Sequence, residues 1–215
     1  LWALALASGE RVEAEIVVSA LGMFNALALP DVPGLSDFAG TCFHSARWRW
    51  DHDLTGRTVA VVGSAASAVQ FVPEIVKQAG RVFLFQRSAN WILPKQDTPY
   101  GPEELERRRR NPTVALEERD EVYRRVDGGM TFSDPQLVAE CEAAGVAALD
   151  VVRDPATRAK LRPTHAWGCK RPLYSNDYLP AFNRPNLELV TEPLERITKE
   201  GVVTRDGRLR ASIAG

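Results

Sequence analysis

Apolar positions along the chain change period several times, and the sharpest change lies in the middle of its first half. Thr58-Val59-Ala60-Val61-Val62 is a short, nearly continuous apolar run, the mark of a buried strand. Six small residues, Gly63 to Ala68, follow at once. Val69, Val72, Val76 and Ala79 then recur at helical spacing, Gly80 ends the pattern, and Arg81-Val82-Phe83-Leu84-Phe85 opens a second apolar run. A strand, a tight turn, a helix and a strand within about 30 residues predict a βαβ unit with parallel strands and a right-handed crossover. Pro73 falls inside the helix and predicts a kink or a lost hydrogen bond there.

The flanks are patterned differently. Trp2–Ala7 and Val12–Ala20 read as strands around the turn Ser8-Gly9-Glu10. Ile16-Val17-Val18 does not alternate, which predicts a strand buried on both faces. Regularity breaks at Leu29–Gly34, and 38–53 reads as a connector rich in aromatic residues and His. Beyond Pro102, charged stretches with apolar positions three and four apart predict surface helices over 103–110, 114–126 and 134–152. Asn111-Pro112, Gly128-Gly129 and Asp154-Pro155 are the expected breaks. Strand-like runs return at 187–190, 194–198 and 202–204. The plan is α/β, then a helical insertion, then a return to β, with no internal repeat.

Composition narrows the function classes. The 215 residues carry a net charge of −1, which argues against nucleic acid or an anionic membrane surface as the main partner. No apolar run reaches the ~20 residues of a membrane span. Cys42, Cys141 and Cys169 are odd in number and widely spaced, so neither a disulfide framework nor a metal cluster is indicated. A reducing, cytoplasmic setting is the expectation. The opening segment has no basic stretch of the kind a signal peptide needs.

Candidate chemistry sits in the βαβ unit. Gly63, Ser64, Ala65, Ala66, Ser67 and Ala68 occupy the place of the G-x-G-x-x-G/A turn, where backbone N–H groups and a helix N-terminus face a pyrophosphate. Ala68 satisfies the third position, whereas Ala65 puts a methyl at the second. A site for NAD places Asp or Glu past the second strand, to hold the ribose hydroxyls. Here Gln86-Arg87-Ser88 stands there instead. A carboxylate would repel a 2′-phosphate; Arg87 can pair with one and Ser88 can donate to it, which favours NADP. On spacing alone Arg87 is also compatible with a solvated charge at a strand end.

Phe38, Gly40, His44 and Trp48, just ahead of this unit, resemble the F-x-G-x-x-x-H-x-x-x-W signature of Baeyer–Villiger monooxygenases, flavoproteins that use NADPH and dioxygen. Arg49 follows Trp48 where that family has Pro or Asp. Gly168-Cys169-Lys170-Arg171-Pro172, with Asn176-Asp177-Tyr178 and Asn183-Arg184-Pro185-Asn186, is similar to the family's G-[TC]-K-R segment and downstream N-R-x-N. Gln86–Trp91 fits its Q-R-[TS]-x-N/H-[FW] stretch, and Ser19–Gly22 resembles its A-T-G element with Leu in place of Thr.

The resemblance implies a Rossmann-like NADP-binding domain with a parallel sheet, a helical insertion and the strand-rich edge of an FAD-binding domain. The implied boundaries are 1–36 for the FAD-domain edge, 37–56 for a hinge with the signature, 57–100 and 166–205 for the NADP-binding domain, 101–165 for the insertion, and 206–215 for a truncated return. Gly63 to Ala68 would take the pyrophosphate, and Arg87, Ser88 and Lys170 the 2′-phosphate. Arg171 would be the catalytic arginine, because a guanidinium is always charged and can stabilise developing anions. His44 and Trp48 would act in the hinge. Cofactors would be NADP(H) and FAD, the FAD site lying largely outside a chain that begins without Met. The implied reaction inserts an oxygen atom from dioxygen beside a ketone carbonyl. An N- or S-oxygenating flavin monooxygenase and an NADP-binding remnant without catalysis are the alternatives.

Overall fold

A computed structural model describes residues 1–22, 25–95, 97–131 and 133–210. The expected return at 206–215 therefore falls partly outside the described residues. The chain forms two compact units, one of Leu1–Asp31 with Phe43–Trp48 and the other of Val32–Cys42 with Arg49–Gly215.

In the first unit, β1 (Trp2–Ala5) and β2 (Arg11–Ala14) form an antiparallel hairpin pairing Trp2 with Ala14 and Ala5 with Arg11. Gly9 adopts φ +87° in its turn, a left-handed conformation that Gly reaches without steric cost. The buried strand expected at Ile16–Val18 is not present. β2 ends at Ala14, and Ile16 and Val18 are 79% and 83% exposed. An apolar run becomes a buried strand only where a neighbouring strand and a covering layer receive it. Among the described residues, neither is provided to this one.

The second unit contains the βαβ element. β3 (Thr58–Val62), α1 (Ala66–Ile75) and β4 (Arg81–Phe85) follow in order, and β3 and β4 pair in parallel from Thr58↔Arg81 to Val62↔Phe85. α1 stays helical through the buried Pro73, which removes one N–H donor. Gly80 acts by closeness rather than as a helix stop. A Cβ there would lie 2.5 Å from the Gly56 carbonyl oxygen, in a loop where Gly80 N–H also donates to Arg57 O.

The described insertion is helical. After β5 (Ile92–Leu93) come α2 (Pro102–Arg110), α3 (Thr113–Met130), α4 (Pro135–Ala148) and α5 (Pro155–Leu161). Pro is the first residue of α2, α4 and α5, where its missing N–H costs nothing, and Asp134 and Asp154 cap the last two. Asp154-Pro155 thus starts a helix as well as ending a segment. Gly128-Gly129 was expected to break α3, yet the helix continues to Met130; the modest propensity penalty of Gly did not stop it. Arg107 to Arg110 close α2, and Arg108 among them is mostly buried. It bonds Glu104 and Glu118, joining α2 to α3, and its guanidinium lies 3.9 Å from the Tyr100 ring centre.

The chain returns through β6 (Leu173–Tyr174), α6 (Tyr178–Ala181) and β7 (Leu187–Val190). β7 adds in parallel to β4, giving the sheet order β3-β4-β7. β4 is central, so both its faces are covered. Val82 and Leu84 are fully buried on one face, while Phe83 and Phe85 join Val190, Ile197 and Val202 on the other. β8 (Leu194–Ile197), β9 (Val202–Thr204) and β10 (Leu209–Arg210) complete an antiparallel meander, and Val32, Leu35 and Phe38 pack on the same cluster.

Candidate functional site

The parallel register of β3 and β4 sets the site, because both strands end beside the start of α1. Gly63 leaves β3 at φ +104° and donates its N–H to Phe85 O at 3.0 Å. A Cβ on Gly63 would meet nothing within 4 Å, so the backbone conformation, not space, calls for glycine here. Ser64 is buried and Ala65 is the N-cap of α1, in extended conformation and without a side-chain acceptor. The first N–H groups of α1 therefore have no cap of their own, and the helix dipole adds partial positive charge at the same point. Ala66 and Ser67 are exposed in this first turn, and Ala68 is buried beneath it. The Ala65 methyl, which the pattern places where Gly is usual, is exposed.

The end of β4 is held from two sides. Gln86 is buried; its backbone N–H donates to Val190 O and its side-chain amide to Lys160 O. This clamp leaves Arg87 exposed at the strand's tip and Ser88 half-buried beside it. Across the short parallel ladder, Leu173 N–H donates to Trp91 O and Ser175 N–H to Leu93 O. That ladder carries the distant segment alongside, and Lys170 Nζ donates to Ser88 Oγ across 82 residues of sequence. Arg171 follows directly, exposed, ahead of the buried Pro172. The fold thus brings Ser88 and Lys170 into contact and puts Arg171 next to them by chain continuity.

Several residues with no assigned role in the sequence support this arrangement. Asn90 Nδ2 donates to Ser64 O at 2.8 Å. Asn176 bonds both the N–H and the carbonyl of Lys95, and Asn183 does the same across Val151 and Arg153. Asn186 donates to Val76 O and Ala79 O, tying down the chain just after α1. An amide side chain pairs equally well with a backbone donor or acceptor, so asparagines can staple loops that lack a ladder. His165 is a further residue near the site: its carbonyl accepts from Trp91 Nε1, and its ring meets Trp91 edge-on at 6.5 Å. Burial, and secondarily the charge of Lys170, hold the His165 pKa below the usual histidine range. Its signal was available as a lone His five residues before Lys170, but nothing local gave it a partner.

The signature residues divide between the two units. Phe38 and Gly40 belong to the second, while His44 and Trp48 belong to the first. His44 Nδ1 accepts the Ala46 N–H at 3.0 Å, capping a short 3-10 turn at Ser45–Arg47, and Trp48 packs edge-on against Phe43. Arg49, where the pattern expects Pro or Asp, pairs with Asp51 and holds its carboxyl at a pKa of about 2.

Residues 9–114 match the flavin-binding monooxygenase-like family. The chain is 39% identical over 214 residues to a Baeyer-Villiger monooxygenase of Pseudomonas aeruginosa, covering 98% of this chain and 40% of that one. It is 30% identical over 250 residues to a phenazine N-monooxygenase of Lysobacter antibioticus, covering 96% of this chain and 46% of that one. Among solved structures, cyclohexanone monooxygenase from Rhodococcus sp. Phi1 bound to NADP+ superposes with a TM-score of 0.79 at 25% identity, over 98% of this chain and 47% of the other. The chain thus spans less than half the length of these relatives. Among the described residues, no helix is long and apolar enough to cross a membrane.

Proposed function

We propose, from the match of residues 9–114 to the flavin-binding monooxygenase-like family and the likeness to a Baeyer–Villiger monooxygenase over nearly all of this chain, that it belongs to that family and forms the NADP-binding part of an enzyme converting a small-molecule ketone to an ester or lactone. The observation that carries the nucleotide half is the meeting of Ser88 with Lys170, on a segment whose Asn90 bonds Ser64 just ahead of an uncapped helix N-terminus. The residues fit the cofactor: the turn Gly63 to Ala68 offers N–H groups to a pyrophosphate beyond that of Gly63 itself, which Phe85 O holds, and Arg87, Ser88 and Lys170 offer donors to a 2′-phosphate. Bound NADPH and FAD supply the reducing equivalents and the activation of dioxygen.

The chain's own part is to bind, orient and neutralise. Arg171 presents a permanent positive charge one residue from the phosphate-binding lysine. In this reading it steadies negative charge that develops near the nicotinamide and at the substrate carbonyl oxygen. The chain passes from one unit to the other between Cys42 and Phe43, inside the signature. We assign Phe38 and Gly40 on one side and His44 and Trp48 on the other to a hinge whose setting accompanies turnover. Domains at 1–36, 57–100 with 166–205, and 101–165, and a cytoplasmic setting, belong to the same proposal.

Product analysis tests it. With NADPH, FAD and dioxygen, an enzyme of the relatives' length carrying this segment should convert a ketone to an ester. Arg171→Ala should abolish that product and largely spare flavin reduction. Unchanged ester formation in the variant would remove Arg171 from its role. The N-oxygenating relative supports a second reading, heteroatom oxidation. A substrate oxidised only at an amine or thioether would establish that reading in place of the first.

A further inference from the structure

We infer that Asn90 is a positioning residue that orients the Ser64–Ala65 peptide for the dinucleotide pyrophosphate; the inference rests on the NADP reading of the same turn. Asn90 lies two residues beyond Ser88 and its side chain reaches back 26 residues to Ser64 O, at 2.8 Å. A carbonyl oxygen only accepts, so it is the amide nitrogen of Asn90 that faces it. No peptide bond among the described residues is cis. In a trans peptide the C=O and the following N–H point in opposite directions from a rigid plane. Holding Ser64 O on the Asn90 side therefore turns the Ala65 N–H away from Asn90, at the N-cap of a helix whose first turn carries no side-chain cap.

The need for such a tether follows from the rest of the turn. Gly63, immediately before, sits at φ +104°, where a glycine has wide conformational freedom. Its N–H is fixed to Phe85 O, which pins the entry of the turn but leaves the next peptide plane able to rotate. Asn90 supplies the second point. Because it is carried on the chain directly after Arg87 and Ser88, it also couples the two ends of the nucleotide site. The 2′-phosphate donors and the pyrophosphate turn are then held in one register, and a dinucleotide spanning both meets a preformed site.

The test compares two ligands, by calorimetric titration, on an enzyme of the relatives' length carrying this segment. NADP+ touches both ends of the site, whereas adenosine 2′-monophosphate carries the 2′-phosphate and no pyrophosphate. Asn90→Leu keeps the side chain's size and removes the donor. It should bind NADP+ about tenfold more weakly, the scale of one lost hydrogen bond to a fixed partner. Its affinity for adenosine 2′-monophosphate should stay within about twofold of the parent. Asn90→His, which keeps an N–H donor, should recover most of the NADP+ affinity. Unchanged NADP+ binding by Asn90→Leu would overturn the inference and leave the NADP reading intact. Equal losses for both ligands would also overturn it, by showing a general structural role. Failure of the parent enzyme to bind either ligand would defeat the NADP reading itself, and Asn90 with it.

Discussion

Replacing Lys170 by Met removes an ammonium group while keeping most of the stem that packs beside Ser88. Both residues are half-buried, and their contact joins segments 82 residues apart, so the variant tests the tertiary assembly of the site as well as its charge. A charge-assisted hydrogen bond contributes about 1.5–3 kcal/mol. Partial exposure to solvent weakens the charge, which puts the expected loss in the lower part of that range, about 1.5–2 kcal/mol. That corresponds to NADPH binding weaker by about 12- to 30-fold. NADH has no 2′-phosphate and should lose no more than about twofold. Titration of both nucleotides at fixed ionic strength measures the two effects side by side. Rising salt should erode NADPH binding by the parent more than by the variant, because one ionic contact is already gone. Equal losses for NADPH and NADH, or none for either, would refute the reasoning and leave the Lys170–Ser88 bond a structural contact only.

Two further predictions concern the ground beneath the site. A Cβ at Gly145 of α4 would stand 2.7 Å from Cε3 of the buried Trp91, whose Nε1 is fixed to His165 O. Gly145→Ala gains about 1 kcal/mol of helix propensity but overpacks a held ring at about 1–3 kcal/mol, so urea denaturation should show net destabilisation of about 1 kcal/mol. A stabilised variant would mean that Trp91 yields. His165 has its pKa depressed in the folded chain, so the unfolded chain takes up the proton first as pH falls. Its contribution is complete above the unfolded value, about 6.5, and is lost as pH falls from there toward the folded value. Urea midpoints at pH 7.5 and 5.5 should therefore lie closer together in His165→Phe than in the parent, and identical spacing would contradict the assignment.

The βαβ unit was legible before any coordinates, because a strand, a small-residue turn and an amphipathic helix are each encoded by neighbours in the chain. Gly63 was legible for the same reason: its left-handed conformation is a property of one residue. Three helices of the insertion could be read from apolar positions three and four apart, although α3 ran through the Gly pair that was expected to end it, and α5 began at the Asp154-Pro155 pair read only as a break. Ile16–Val18 failed because local pattern states how apolar a run is and not whether another layer will cover it.

The chemistry divides along the same line. Residue types alone suggested the proposed phosphate-binding role of Arg87 and Ser88, since they stand where a carboxylate would otherwise be. Lys170 and His165 acquired their places only when β5 paired with β6 and β7 with β4, contacts that close 80 residues or more of chain, whereas Asn90 reaches Ser64 across 26 residues. Such closure depends on the summed burial of Trp91, Leu93 and Trp167 beneath α4, and on asparagine staples at loop positions. Those energies are cooperative and distributed, so no single stretch of sequence contains them. Sequence by itself determined where a strand, a small-residue turn and a helix form, and it raised the expectation of a dinucleotide site that favours a 2′-phosphate. Tertiary structure decided which distant side chains complete it, because a lysine and a serine 82 residues apart become neighbours only through the packing of everything between them.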